Sequence, residues 1–544
     1  MLFFLAFIVA LSITAALIPV LARWAPAIGL TDRPGPRKLH TQPVPRVGGI
    51  AMALGILAPA MLLVAQTQSL HGLLAGILVL LVFGVWDDRA DLHYRVKFLG
   101  QMLAVGLCIA ISGVQIQTYA ADGHPLLPQA LSVALTFFFL IGVTNAVNLS
   151  DGLDGLAGGM ALLCFCAIAL LAASGGNAQL TAIACIEGGA LLGFLRFNTH
   201  PARVFMGDGG SQVLGFTIGV LAIFATQSDI SATSAALPLL LVGMPIIDTL
   251  MVMLHRFRQG RSPFTSDRNH LHHRLLELGF RHGEAVILLY LSQVTLFLLA
   301  YFLRFASDLL IIAVFCAYAA AVLGLLRWAT RSGWRVHPET ESRSPPLGLE
   351  RLQRTLRRAP GLALWVMGAS MFAYAATVIM ESGRVGGDVT VLCLVLLVPL
   401  LVSALARAQG AVGWVERTAA YVSVMLLVYL DETAAHTSHS FFGTSWTLLG
   451  ITGVAALARF WLSPERRFQL TTLDVLVVFI ALVIPHLGPV QLPAELTAGI
   501  AKAVILLYVV EMLLALDIRG RIPRTCLVLM LAAIAARGLL SLNA

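Results

Sequence analysis

Residues 129–174 read QALSVALTFFFLIGVTNAVNLSDGLDGLAGGMALLCFCAIALLAAS. Two apolar runs, near 129–148 and 153–174, flank a short link that carries Asn145, Asn148, Asp151 and Asp154 among glycines. Each run has about the 20 residues that an α-helix needs to cross the hydrocarbon core of a bilayer. Neither shows sustained period-two alternation, so strands of a membrane barrel are not expected. The stretch predicts two membrane helices joined by an acidic, glycine-rich turn.

The same pattern extends outward over the whole chain. Its 544 residues are 58% hydrophobic and only 12% charged, whereas charged residues make up about 25% of soluble proteins. Apolar runs predict about eleven spans before residue 330, near 1–23, 47–66, 70–86, 98–115, 129–148, 153–174, 178–197, 211–227, 233–254, 284–303 and 306–327. The fold class is therefore all-α, a polytopic transmembrane helical bundle. The first run is too long for a signal peptide and no basic region precedes it, so it is expected to be retained as a span. The seven cysteines sit in or at the ends of apolar runs and are expected as small buried hydrophobes, not as a disulfide frame or a zinc site.

Net charge is +8, and its placement is the informative part. One set of alternate loops holds Arg23, Arg33, Arg37, Lys38 and Arg46, then Arg89, Arg95 and Lys97, then Arg256, Arg258, Arg261, Arg268, Arg274 and Arg281. Opposite loops such as QTQSLHG and SGGNAQ hold no lysine or arginine. The positive-inside rule puts the basic set in the cytoplasm and the N-terminus outside. Three parts follow: a membrane domain over 1–330, an arginine-rich cytoplasmic linker over 331–360 that could lie on anionic lipid, and a second membrane region over 361–544 with about seven more spans. No internal repeat relates the two membrane parts.

Polar clusters follow the odd-numbered spans of the first part. They are DRPGPRKLHTQPVPRVGG with Arg37, Lys38, His40 and Arg46; WDDRAD with Asp87, Asp88 and Asp91, followed by Lys97; the opening link; RFNTHPARVFMGDGGS with Asn198, Asp208 and Ser211; and SPFTSDRNHLHHRL with Asp267, His270, His272 and His273. Parity alone puts all five on one membrane face. Asp88 and Asp91, and likewise Asp151 and Asp154, are three apart, a spacing that places each pair on one side of a helix. Crowded carboxylates need a cation, and oxygen ligands of this kind suit magnesium bridging to a phosphate. The GDGG stretch offers backbone N–H groups to the same anion.

Plainer readings stand beside this one. A single acid such as Asp151 or Asp208 can be a helix cap. Arg37, Lys38 and Arg46 can serve topology and lipid headgroups. The histidines of HLHH are too closely spaced to share a helix face, which favours a phosphate-contacting or catalytic loop over a zinc cage. Glu187 and Asp248, inside spans, are expected to make structural hydrogen bonds. In the second part, DETAAHTSHS with Asp431, Glu432, His436 and His439 is expected as a solvated outer loop, and Lys502 and Glu511 to face a cavity or neighbouring spans.

In that order and spacing, DDRAD, NAVNLSDGLDGLAGG, FNTHPARVFMGDGGS and DRNHLHHRL resemble the bacterial polyprenyl-phosphate N-acetylhexosamine-1-phosphate transferases of glycosyltransferase family 4, over roughly residues 1–330. The resemblance implies transfer of a sugar-1-phosphate from a UDP-N-acetylhexosamine to undecaprenyl phosphate, releasing UMP, with magnesium or manganese as cofactor. It implies Asp208, with Asp151, as metal ligands. Asp87, Asp88, Asp151, Asp154, His270, His272 and His273 would be catalytic, and Lys38, Arg46, Lys97, Asn148 and Asn198 substrate-binding. The HLHH form resembles the WecA-like branch that uses UDP-GlcNAc or a related amino sugar, not the peptidoglycan branch with its three consecutive histidines. It further implies a multi-pass protein of the bacterial inner membrane with a cytoplasmic site, membrane lipids and the two substrates as partners, no nucleic acid, and room for a homodimer. Residues 361–544 map to nothing in the family pattern. The competing class is a polytopic transporter or lipid flippase, whose polar groups would gather near the bilayer midplane; within the family, the alternative is a phospho-MurNAc-pentapeptide transferase.

Overall fold

A computed structural model describes residues 2–34, 42–117, 127–227, 233–260, 269–336, 359–382, 385–405, 412–435, 439–462, 471–483, 494–516 and 522–542. Chain contacts divide it into two compact units, one of residues 1–341 with 471–476, the other of 342–470 with 477–544. Among the described residues the regular structure is helical, apart from one two-residue antiparallel ladder, β1 (Thr31–Asp32) with β2 (Val44–Pro45).

The helices of the first unit are α1 (Leu2–Ile28), α2 (Gly48–Leu63), α3 (Gln68–Ala90), α4 (Tyr94–Ser112), α5 (Gln129–Leu149), α6 (Leu156–Ser174), α7 (Ala178–Asn198), α8 (Gly207–Thr226), α9 (Pro238–Leu241), α10 (Gly243–Arg258), α11 (Leu271–Glu277), α12 (His282–Phe302) and α13 (Asp308–Arg331). Nine of these are long and apolar enough to span a bilayer, and α14 (Ala359–Glu381) of the second unit makes ten among the described residues. This is a multi-pass membrane protein.

Two expected spans take another form. The second is α2, whose 16 residues reach only about 24 Å at 1.5 Å per residue, short of a core about 30 Å thick. The ninth is broken at Val242 into α9 and α10, with Pro238 opening the first piece. Gln293 of α12 answers the break: its Oε1 accepts from Met244 N at 3.2 Å and its Nε2 donates to Leu241 O at 2.8 Å. A buried side-chain amide thus satisfies backbone groups that lipid could not.

Helices α6, α7 and α8 form the centre, with α8 almost wholly enclosed. Small residues let them approach their neighbours closely. At Gly84 of α3 an added Cβ would lie 2.1 Å from Gly209 Cα, and at Gly49 of α2 it would lie 2.4 Å from Gly210 N. The GDGG stretch is therefore wedged between two helices, which locates the start of α8 on backbone contacts.

The second unit contains α14, α15 (Gly387–Leu405), α16 (Val412–Ala435), α17 (His439–Leu462), α19 (Ala494–Leu516) and α20 (Ile522–Leu542); α18 runs Thr472–Val483. Here the DETAA part of DETAAHTSHS is helical and not a solvated loop. Asp431 and Glu432 lie in the last turns of α16 and are buried. Lys502 of α19 is fully buried between them, its Nζ 2.6 Å from Asp431 Oδ2 and 2.7 Å from Glu432 Oε1. Tyr374 of α14 and Ser445 of α17 donate to Asp431 at 3.0 and 2.6 Å. The apolar surroundings compel the three charged groups to meet, because none could be left alone in that interior. His436 lies outside the described residues.

Candidate active site

The expected clusters converge at one end of the first unit. Asp87 and Asp88 occupy the last turn of α3, which Asp91 ends in a left-handed conformation (φ 45°). That ending overturns the expectation that Asp88 and Asp91 share a helix face. Asp87 Oδ1 accepts from Leu92 N at 2.8 Å, bracing the turn, while its Oδ2 lies 2.5 Å from Lys97 Nζ. Lys97 stands in the first turn of α4 and also reaches Asp208 Oδ2 at 2.9 Å. One ammonium therefore joins two carboxylates that lie 121 positions apart in the chain.

Asp208 opens α8. Its neighbour Gly207 has φ +72°, and a Cβ there would lie 2.3 Å from Asp88 Oδ2. The close approach is put to use: Asp88 accepts from the backbone N–H groups of Asp208 and Gly209 at 2.9 and 3.2 Å, capping the helix from another helix. Arg46, just after β2, lies 3.8 Å from Asp88 and pairs with Asp32 of β1. Asn148, at the end of α5, donates to Ser211 Oγ at 2.7 Å and lies 3.4 Å from Asp208 Oδ1. Beneath them Gln101 ties Asn145 and Gln212 together at 2.8 and 3.1 Å.

Asp151 sits in the link between α5 and α6, which is not helical, so Asp151 and Asp154 share no helix face either. Gly152 and Gly155, the latter at φ +80°, break the helix between the two runs. Asp151 lies at the exposed mouth of the site as a residue, its carboxyl ringed by protein and by other acids. Enclosure by the surrounding protein, and then the charges of Asp208, Asp154 and Asp88, push its carboxyl up to about 7. Asp87, Asp88, Asp151 and Asp208 face only Lys97 and a shared Arg46 among the described residues. Such a surplus of oxygen donors fits a hard divalent cation such as magnesium.

Asp154 turns elsewhere, accepting from Ala202 N at 3.0 Å and lying 2.8 Å from His200 Nδ1. Asn198 spends both ends of its amide on the scaffold: Oδ1 accepts from Gly155 N and Nδ2 donates to Val204 O, each at 3.0 Å. Tyr290 of α12 donates to Gly155 O at 2.6 Å.

The histidines gather despite their sequence spacing, because His270 is the extended N-cap of α11 while His272 and His273 lie in its first turn. The rings of His270 and His272 stack at 5.6 Å, and those of His272 and His273 meet at 4.3 Å. Asp248 of α10 holds this element, accepting from Leu271 N at 2.7 Å and lying 2.9 Å from His270 Nδ1. His272 is 2% exposed and abuts Gly152, where an added Cβ would fall 2.2 Å from its Nε2. Burial, reinforced by His273, drives the His272 imidazole down to about 3, so it is neutral near pH 7. Lys38 lies outside the described residues, as does Asp267. Asp32, Gln101, His200 and Tyr290 escaped the sequence reading. Asp32 and His200 left a visible trace, each standing inside one of the polar stretches.

Comparison with known proteins agrees with this assembly. The model of glycosyl transferase family 4 matches residues 70–226, which contain Asp87, Asp88, Lys97, Asn148, Asp151 and Asp208. A Bacillus subtilis protein named probable undecaprenyl-phosphate N-acetylglucosaminyl 1-phosphate transferase is 33% identical over 333 residues, 59% of this chain and 92% of that protein. A decaprenyl-phosphate N-acetylglucosaminephosphotransferase of Mycolicibacterium smegmatis is 35% identical over 51% of this chain and 78% of its own length. The undecaprenyl-phosphate alpha-N-acetylglucosaminyl 1-phosphate transferase of Escherichia coli K12 is 29% identical over 62% of this chain and 91% of its own.

Proposed function

The chain belongs to glycosyl transferase family 4, and from that premise we propose that it transfers N-acetylglucosamine-1-phosphate from UDP-GlcNAc to undecaprenyl phosphate. An oxygen of the lipid phosphate attacks the β-phosphorus of the nucleotide sugar. A new P–O–P bond forms, the bond to the α-phosphate oxygen breaks, and UMP leaves with that electron pair. The observation that carries the reading is the bridge Asp87–Lys97–Asp208, with Asp88 on the N-terminus of α8.

Phosphoryl transfer depends mostly on positioning and on neutralising oxygen charge. Asp208 and Asp151 are suited to hold magnesium or manganese, which when bound would neutralise the diphosphate oxygens. Lys97 keeps Asp208 and Asp87 oriented and adds a compact positive charge beside the reacting phosphates. Asp88 holds the start of α8 in place, and Arg46 supplies a guanidinium at the rim for a phosphate. Asn148 orients Asp208. The lipid phosphate is already largely ionised at neutral pH, so Asp87 serves to hold Lys97 and needs to remove no proton. His270, His272 and His273 form a wall beside Gly152 suited to the nucleotide sugar. Acids gathered at helix ends on one face support an enzyme over a transporter, which would set such groups at the midplane. The basic loops on that same side support a cytoplasmic site in the inner membrane.

Purified full-length protein, undecaprenyl phosphate, magnesium and labelled UDP-GlcNAc should yield a lipid-linked diphosphate sugar and stoichiometric UMP. Asp208→Asn should remove turnover in a folded protein. A panel of UDP-amino sugars that all fail to transfer would refute the reading.

A further inference from the structure

One group of ligating side chains lies beside the proposed diphosphate site and takes no part in it. Asp154 stands in the α5–α6 link, His200 in the α7–α8 link, and His282 is the first residue of α12. One ligand atom from each lies within 4.8 Å of the other two. The two imidazole rings stack with centroids 4.1 Å apart. Asp154 Oδ2 is oriented by Ala202 N at 3.0 Å and lies 2.8 Å from His200 Nδ1. His282 Nδ1 is buried and has no hydrogen-bond partner among the described residues.

We propose that Asp154, His200 and His282 form a site for a divalent transition metal of the zinc class, distinct from the oxygen-ligand cluster around Asp208. The donor set decides the class. Two imidazoles and one carboxylate suit zinc, copper or nickel, whereas magnesium demands an octahedron of oxygens. Three protein ligands leave a fourth tetrahedral position for water. Metal–ligand bonds of about 2.0–2.2 Å require the three atoms to readjust their spacing, the 2.8 Å His200–Asp154 contact opening to admit the ion. The exposed His200 ring, 54% open to solvent, is free to swing for this while Asp154 stays held by Ala202. Binding displaces the proton shared between His200 and Asp154 to solvent.

The site would tie together three segments that border the reaction centre and fix their spacing. Zinc is thus an inhibitor of transfer; this half of the inference rests on the transferase reading, and the binding half does not.

Full-length protein stripped by a chelator is titrated with zinc chloride in excess magnesium, and the bound metal is counted and examined by X-ray absorption. The expected result is about one tight zinc per chain whose spectrum carries two imidazole ligands. His200→Asn and His282→Asn should each weaken that binding by about tenfold or more while leaving zinc-free transfer unchanged, and should relieve zinc inhibition to the same degree. Wild-type protein that binds no zinc, a spectrum without imidazole scattering, or variants that bind as wild type does would overturn the site. The spectrum of the wild type decides even if a variant misfolds. Zinc bound at these residues in a protein without transfer activity would uphold the site and refute the transferase reading.

Discussion

Replacement of Lys97 by glutamine tests the proposed centre most directly. Nζ makes two charge-assisted contacts, 2.5 Å to Asp87 and 2.9 Å to Asp208. Such contacts contribute about 1.5–3 kcal/mol each, hence about 3–6 kcal/mol for the pair. Asp87 is sealed at 3% exposure, but Asp208 is 39% exposed, and solvent screening weakens its share. The discounted loss is about 2–4 kcal/mol, and at 1.36 kcal/mol per decade the transfer rate should fall roughly thirty- to a thousandfold. The loss should appear in kcat, and the thermal unfolding midpoint should fall as well, because Asp208 can turn to water but the sealed Asp87 is left without its cation. Lys97→Arg should recover part of the rate, because the guanidinium keeps the charge but spreads it over a wider fork. Initial rates with labelled UDP-GlcNAc across a magnesium titration measure all three proteins. A folded Lys97→Gln enzyme within threefold of wild type would refute the bridge as part of the reaction centre.

Other perturbations probe the supports. Gly207→Ala forces a left-handed residue to carry a Cβ against Asp88, costing about 1–2 kcal/mol from the backbone alone; the melting temperature should drop, and transfer should suffer more as Asp88 is displaced from α8. His272 carries a folded-state value near 3 against an ordinary 6.5. A depressed base contributes stability that is present above pH 6.5 and is lost as pH falls toward 3. Unfolding midpoints should therefore decline over that window, and His272→Gln should flatten the decline; an unchanged pH profile would count against a buried neutral ring. Lys502→Met strands Asp431 and Glu432 in the second unit, a loss of about 3–5 kcal/mol, readable by thermal unfolding and partly repaired by adding Asp431→Asn.

Some of this protein was determined by local sequence alone. Apolar runs of bilayer length dictate helices, since lipid leaves backbone groups no partner outside the segment. Parity of those runs then brings the acids of WDDRAD, the 145–159 link and GDGG to one face. Residue identity narrows the chemistry further, because four carboxylates with a lysine and glycines have few uses other than a metal and a phosphate.

Tertiary structure decided what periodicity could not carry. Helix-face reasoning failed for Asp88 and Asp91, and for Asp151 and Asp154, because a left-handed residue at Asp91 and glycines at 152 and 155 end the helices inside each motif. The pairs that matter run between distant segments instead: Asp88 caps α8, and Lys97 spans α3 and α8. DETAAHTSHS reads as a polar loop, yet Asp431 and Glu432 are enclosed because their partner, Lys502, lies some seventy positions later on another helix. A local pattern reports what a segment prefers in isolation. The partner of a buried charge is settled only when helices pack, since desolvation makes each ionised group depend on whatever countercharge the fold delivers to it.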